Sequence, residues 1–146
     1  TLFFNINLGF YQEFSPNYEK PRFSIDVADQ LYCGQSVTII NLQLAYYLGF
    51  TEVYLIGMDF SYTIPKSAIV ESNGTITSTE DDVNHFDSSY FGKGKKWHDP
   101  KVHNVLKSYQ FCKSLYEMNE RKIYNSTIGG KLELFERKDF VSLFKE

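Results

Sequence analysis

"GQSVTIINLQLAYYLGFTEVYLIGMDF" (residues 34–60) decides the fold. Its first part is apolar on nearly every side and closes on Gly49. Ser36 stands where a helix N-cap stands and Gly49 where a C′ glycine stands, so the stretch predicts a helix buried all round. Val53, Tyr54, Leu55 and Ile56 then form an apolar run too short for a second helix and flanked by Gly49 and Gly57. That pattern predicts a parallel strand covered on both faces.

Working outward, "TLFFNINL" (1–8) reads as a strand, "SPNYEKP" (15–21) as a turn-rich loop and "RFSIDVA" (22–28) as a short strand or extended link. Residues 61–84 are polar and irregular, with "AIVE" and "TIT" predicted to pair as a hairpin around a type I′ turn at Asn73-Gly74. Asp99 and Pro100 read as the N-cap and first residue of an amphipathic helix over 100–119, with Val102, Leu106, Tyr109, Cys112 and Tyr116 at steps of three and four. "RKIYNST" (121–127) is a strand, "IGGKLELFER" (128–137) turns and extends, and "KDFVSLFKE" (138–146) is a short final helix. Helix, strand, excursion, helix, strand predicts an α/β class: a Rossmann-like layered fold with a mainly parallel sheet flanked by helices. One domain is expected over 1–146. The opening on Thr and the absence of a Gly-x-Gly-x-x-Gly turn predict that it is the C-terminal part of a longer transferase-like protein.

A chain of 146 residues can bury a core, and 42% hydrophobic with 23% charged residues is ordinary for a globular protein. A net charge of −3 lacks the basic footprint of general nucleic-acid binding, so no nucleic acid is expected. No apolar run approaches 18 residues, so no membrane span is expected. Cys33 and Cys112 show no metal or redox spacing and sit among apolar neighbours. They read as buried thiols in a reducing compartment, which predicts a cytoplasmic protein and makes the sequons at Asn73 and Asn125 incidental.

In parallel sheets ligands bind beyond the carboxyl ends of the strands, where "DFSY" (59–62) and "NSTIGG" (125–130) are expected. The first leads toward "NHFDSSYFGKGKKWHDP" (84–100), which holds two of the three histidines and the only tryptophan. His85 is the candidate general base, because imidazole titrates near working pH. Asp59 is a candidate for a sugar hydroxyl or Mg²⁺, or else ties down loop amides. Tyr62, after the strand, is a candidate to donate to a phosphate, and Tyr90, Lys93, Lys95 and Lys96 are candidates to face phosphate from a glycine-hinged lid, the plain alternative being a solvated basic loop. The spacing of a Walker A loop is absent. Trp97 reads as a lid or, more simply, a packing staple. Gly34 and Ser36 open a helix whose N-terminus attracts anions, or whose serine is an ordinary cap. Asn125, Ser126 and Thr127 are candidates to hold a nucleobase or ribose, or form only a turn. His85, Asp87 and His98 match no strong ligand spacing, so no protein-held metal and no tightly bound cofactor are expected; Mg²⁺ would arrive with a nucleotide.

Three segments carry a family resemblance: "FSIDVADQLYCGQSVTIINLQLAYYLGFTEVYLIGMDFSY", "HFDSSYFGKGKKWHDP" and "RKIYNSTIGGKLELFERKDF". Together they span 22–140 and resemble the MptE-like domain family, which includes archaeal hydroxymethylpterin diphosphokinases and a domain of flagellar accessory factors. The fold so implied is similar to that of bacterial sialyltransferases that use CMP-sialic acid, where a strand resembling "GFTEVYLIGMDFSY" occurs. In those enzymes a Ser-His-Tyr-Ile-Gly segment supplies the base, and His85 is the nearest histidine here. If Tyr90 and Gly92 are matched instead, Ser89 stands at the base position. The sialyltransferase arginine entering the long helix is replaced by Gly34-Gln35-Ser36.

The resemblance implies a glycosyltransferase-like enzyme of surface polysaccharide or glycoprotein biosynthesis. Its partners would be a nucleotide-sugar and a small-molecule or glycan acceptor, with a homo-oligomer among the expectations. Pterin diphosphokinase chemistry with ATP is the alternative. A third reading, from a different class, is a non-catalytic ligand-binding half of a larger enzyme.

Overall fold

The opening stretch folds as a helix over Val37–Tyr47, α1, for local reasons. The Ser36 hydroxyl accepts the Thr38 N–H at 3.3 Å, capping the first turn. At the other end Gly49 adopts φ +87°, and the N–H groups of Gly49 and Phe50 reach back to the carbonyls of Tyr46 and Ala45. That pair of bonds is a Schellman closure, and a left-handed residue without Cβ allows it. The helix is not buried all round. Ile39, Leu42 and Gln43 face inward, while Val37 and Leu48 are each 68% exposed.

In the computed structural model, which describes residues 3–72, 74–84 and 87–145, two compact units are found: Thr1–Phe60 with Val102–Glu146, and Ser61–Lys101. The element order is β1 (Ile6–Asn7), β2 (Leu31–Tyr32), α1, β3 (Glu52–Leu55), β4 (Ile69–Val70), β5 (Thr75–Thr77), β6 (Lys96–His98), α2 (Val102–Met118), β7 (Lys122–Asn125) and β8 (Glu136–Arg137). The fold is mixed α/β. In the first unit β1 pairs parallel with β2, and β3, β7 and β8 form a second parallel sheet in that order. In the second unit β4, β5 and β6 form an antiparallel sheet. No helix among the described residues is long and apolar enough to cross a membrane.

Several expectations shift. The strand expected over 1–8 pairs only at Ile6–Asn7, and the second strand, Leu31–Tyr32, falls after "RFSIDVA" rather than within it. Helix α2 starts at Val102: Lys101 has φ +42°, so Asp99 and Pro100 lie in a preceding turn where the Asp99 carboxylate accepts the Lys101 N–H at 3.1 Å. Lys96, Trp97 and His98 of the supposed loop are a strand. The β4–β5 hairpin forms, with Gly74 N–H bonded to the Glu71 carbonyl; Asn73 lies outside the described residues. The final helix is a 3-10 turn, Val141–Phe144, begun by Asp139 accepting the Ser142 N–H.

The core of the first unit lies between α1, α2 and one face of the β3–β7–β8 sheet. Tyr109, Cys112 and Tyr116 of α2 meet Ile39 and Leu42 of α1 over Leu55 and Ile123. The Tyr116 hydroxyl donates to the Leu42 carbonyl at 2.6 Å, so its one polar atom is paired inside the core. Both cysteines are free and buried, and burial pushes the Cys112 thiol up to about 12. The strand β3 alternates: Val53 and Leu55 point to this core, Glu52 and Tyr54 to the opposite face. There Tyr54 stacks on Tyr124 at 5.0 Å, Lys138 Nζ sits 3.8 Å from the Tyr124 ring centre, and Glu52 is exposed. The strand expected to be covered on both faces therefore carries on its second face a polar–aromatic cluster, in which Tyr124 is buried, Tyr54 half-buried and Glu52 exposed.

One side chain joins α1 to the β1–β2 pair. Gln43 is fully buried, and its amide makes four hydrogen bonds. Oε1 accepts the N–H groups of Ser24 and Tyr32, and Nε2 donates to the carbonyls of Tyr32 and Ile39. Both backbone groups of Tyr32 are thus satisfied by a side chain. Replacing Gln43 by Leu keeps the volume and strands three backbone groups outside the helix. A loss of about 3 kcal/mol or more is expected in urea unfolding, at about 1 kcal/mol or more per unpaired buried group.

The hydroxyl of Tyr54, 2.5 Å from Glu52, holds the Glu52 carboxyl below its ordinary range, and the same bond pushes the Tyr54 phenol up. A lowered carboxyl contributes stability that is present above the unfolded-state value and is lost as pH falls through the folded one. NMR titration of Tyr54→Phe should show the Glu52 carboxyl moving back up, and an unmoved titration would contradict this pairing.

Candidate functional site

The carboxyl ends of β3 and β7 in the first unit bring together residues distant in sequence. The N–H of Met58 donates to Thr127 Oγ1 at 2.8 Å, and the Ser126 N–H to the Leu55 carbonyl at 2.8 Å. Thr38, in the first turn of α1, donates to Met58 Sδ at 3.7 Å. Gly130, at φ +78°, lies so close to Asp59 that an added Cβ would fall 2.5 Å from its Cα. The Lys131 N–H bonds to the Asp59 carbonyl at 2.5 Å. The glycine is there because two backbones must touch.

Each candidate residue of this edge has a definite place. Asp59 is exposed, and its backbone joins the two loops. Asn125 is fully buried: Nδ2 donates to the Leu132 carbonyl and Oδ1 accepts the Thr127 N–H. Asn125 and Thr127 therefore close the loop. Ser126 is 5% exposed, and its hydroxyl has no hydrogen-bond partner among the described residues. Such a group is costly unless something satisfies it. Gly34 and Ser36 line a cavity of about 210 Å³ at the N-terminus of α1, together with Tyr11, Cys33 and Gln35. The Ser36 hydroxyl lies 3.3 Å from that of Tyr109. Burial and the neighbouring Cys33 push the Tyr11 phenol up.

Two residues here escaped the sequence reading. Asn104, in the first turn of α2, is 1% exposed, and neither its amide oxygen nor its nitrogen has a partner among the described residues. Its carbonyl accepts the Ser108 hydroxyl, and Ser108 Oγ abuts Gly34, 3.0 Å from where a Cβ would stand. A polar residue on the apolar side of an amphipathic helix was the available signal. Arg137 was hidden in an ordinary charged run. Its guanidinium donates to the carbonyls of Thr127 and Gly129 and to Glu133, locking the glycine loop.

The second unit has its own site. A cavity of about 390 Å³ is lined by Tyr62, Phe91, Lys96 and Trp97, with Asp81 and His98 also on its wall. Trp97 Nε1 donates to Ser78 Oγ at 3.0 Å, and its ring stacks on Phe91 at 6.0 Å. Asp82 clamps the segment leading through the loop: Oδ1 accepts the Asn84 N–H and Oδ2 the Phe91 N–H. Tyr62 and Lys96 are thus at the cavity, with Lys96 Nζ 2.9 Å from Glu71. Tyr90 is exposed, its ring edge-on to Phe91, and Lys93 and Lys95 are exposed. Ser89 donates its hydroxyl to Asp87, and this bond holds the Asp87 carboxyl below its ordinary range. His85 lies outside the described residues.

No family model, no curated protein and no solved structure matches the chain.

Unused buried polar capacity makes opposite demands on stability and on binding. Removing an unsatisfied buried hydroxyl or amide does not weaken the fold as removing a bonded one does. Ser126→Ala and Asn104→Leu should therefore leave the midpoint of urea unfolding unchanged or raise it, whereas Asn125→Ala should lower it. A clear loss of stability in Ser126→Ala would show that its hydroxyl is already satisfied.

Proposed function

We propose that the chain is a glycosyltransferase-like protein of the MptE-like kind, taking a nucleotide-activated donor at the carboxyl edge of the β3–β7–β8 sheet. The observation that carries this reading is the pair of buried side chains at that edge, Ser126 and Asn104, whose polar atoms have no partner among the described residues. Ser126 follows the last residue of β7 directly. Helix α2 runs into β7 through a short connection, so it must lie antiparallel to the strand, with its first turn and Asn104 toward the strand's carboxyl end. A hydroxyl and an amide, each able to donate and accept, suit a ribose or a nucleobase edge. A Rossmann-like layering of this unit is part of the proposal, and so is the placement of ligands at the sheet edge that goes with it.

The division of labour follows. Asn125, Thr127, Gly130 and Arg137 hold the loops, while Ser126 and Asn104 contact the nucleotide. The N-terminus of α1, opened by Gly34 and capped by Ser36, offers backbone N–H groups to a phosphate. His85, outside the described residues, is proposed as the base on the sequence alone, with Mg²⁺ arriving on the nucleotide.

A thermal-shift series with CMP, a UDP-sugar, ATP with Mg²⁺ and a pterin alcohol tests it. A nucleotide at 100 times its Kd adds about 2.7 kcal/mol of stability. That shift should appear in the native chain and vanish in Ser126→Ala. A shift with ATP and the pterin alcohol alone would move the reading to diphosphoryl transfer, and no shift with any nucleotide would sink the donor site.

A further inference from the structure

We infer that the cavity of the 61–101 unit is a binding site for a neutral pyranose ring, an inference that stands on the cavity alone and is independent of the donor reading above. The volume, about 390 Å³, falls in the range of small-molecule sites. Its aromatic wall is fixed rather than adaptable. Trp97 is held in plane by the strand pairing Ile76↔Trp97, by the bond from Nε1 to Ser78 and by the stack on Phe91. A pyranose presents a face of C–H bonds that packs on such a plane and a rim of hydroxyls that needs hydrogen-bonding partners.

The polar lining divides into groups already engaged and groups at hand. Asp82 holds two backbone N–H groups, and the Asn84 amide holds both the N–H and the carbonyl of Thr63. These build the wall. Asp81 and His98 are exposed on the lining and make no side-chain hydrogen bond among the described residues. A carboxylate that accepts, beside an imidazole that donates or accepts, suits vicinal hydroxyls. Charge argues against a nucleotide. A phosphate here would meet the carboxylates of Asp81 and Asp82, while the lining lysine, Lys96, is 2.9 Å from Glu71. An uncharged ring is the ligand the wall accepts.

Saturation-transfer NMR on the full chain tests this with neutral methyl pyranosides: a glucoside, a galactoside and an N-acetylglucosaminide. At least one should receive saturation at its ring C–H protons. Trp97→Ala should abolish the signal, and Trp97→Phe, which preserves an aromatic plane, should keep it. Asp81→Asn, an exposed change that leaves the fold alone, should weaken binding by about fivefold or more. Saturation of none of the sugars would overturn the proposal, as would their displacement by uridine or CMP. A chain stabilised by a nucleotide but silent toward sugars loses this site and keeps the donor reading, and sugar binding without a nucleotide shift does the reverse.

Discussion

The amide of Gln43 is the constraint on which the first unit depends. A helix packed beside a two-stranded sheet leaves the outer strand with backbone groups that must find partners or stay wet. Gln43 supplies both partners to Tyr32 and a third bond to Ser24, acting as a one-residue extension of the sheet. Because the same amide is anchored to Ile39 within α1, the helix cannot rotate without breaking all of them. The register of α1 in turn sets where Ser36 and Thr38 meet Tyr109 and Met58. The position of the sheet edge thus depends in part on a side chain near the middle of the helix.

That edge separates residues by what they are bonded to, not by type. Asn125, Ser126 and Thr127 are three small polar residues in a row, and two of them are consumed in closing the loop. The middle one, Ser126, is buried with its hydroxyl unmatched among the described residues. Such a group is rare in native folds and costs stability unless water, an ion or a ligand completes it.

Much of this was readable in the sequence wherever the cause was local. Ser36 and Gly49 bound α1 because cap and closure depend on neighbours within a few residues. The parallel strand at 52–55 followed from a short apolar run after a helix, and that at 122–125 from its place after the second helix. What failed was non-local. Lys96-Trp97-His98 has no strand pattern of its own and becomes one by pairing with Thr75–Thr77. Asp99-Pro100 looks like a helix start, but the left-handed Lys101 delays it. Gln43 hid as one polar letter in an apolar helix, since its partners are up to 19 residues away. Ser126 at the sheet edge of the first unit and Tyr62 at the cavity of the second were legible as candidates, whereas Asn104 and Arg137 were not, because their meaning lies in partners supplied or withheld by other segments.

The indole of Trp97 is the only one in the chain, and it lies in the 61–101 unit, stacked on Phe91 and bonded to Ser78. Both thiols, Cys33 and Cys112, lie in the other unit and are shielded from solvent. The two units thereby carry different built-in reporters, one fluorescent and one chemically reactive. Tryptophan emission follows the integrity of the hairpin unit alone, and thiol accessibility follows that of the parallel-sheet unit alone. Whether the two melt as one body or as two can be read from a single unmodified chain by watching the two signals on one denaturant ramp.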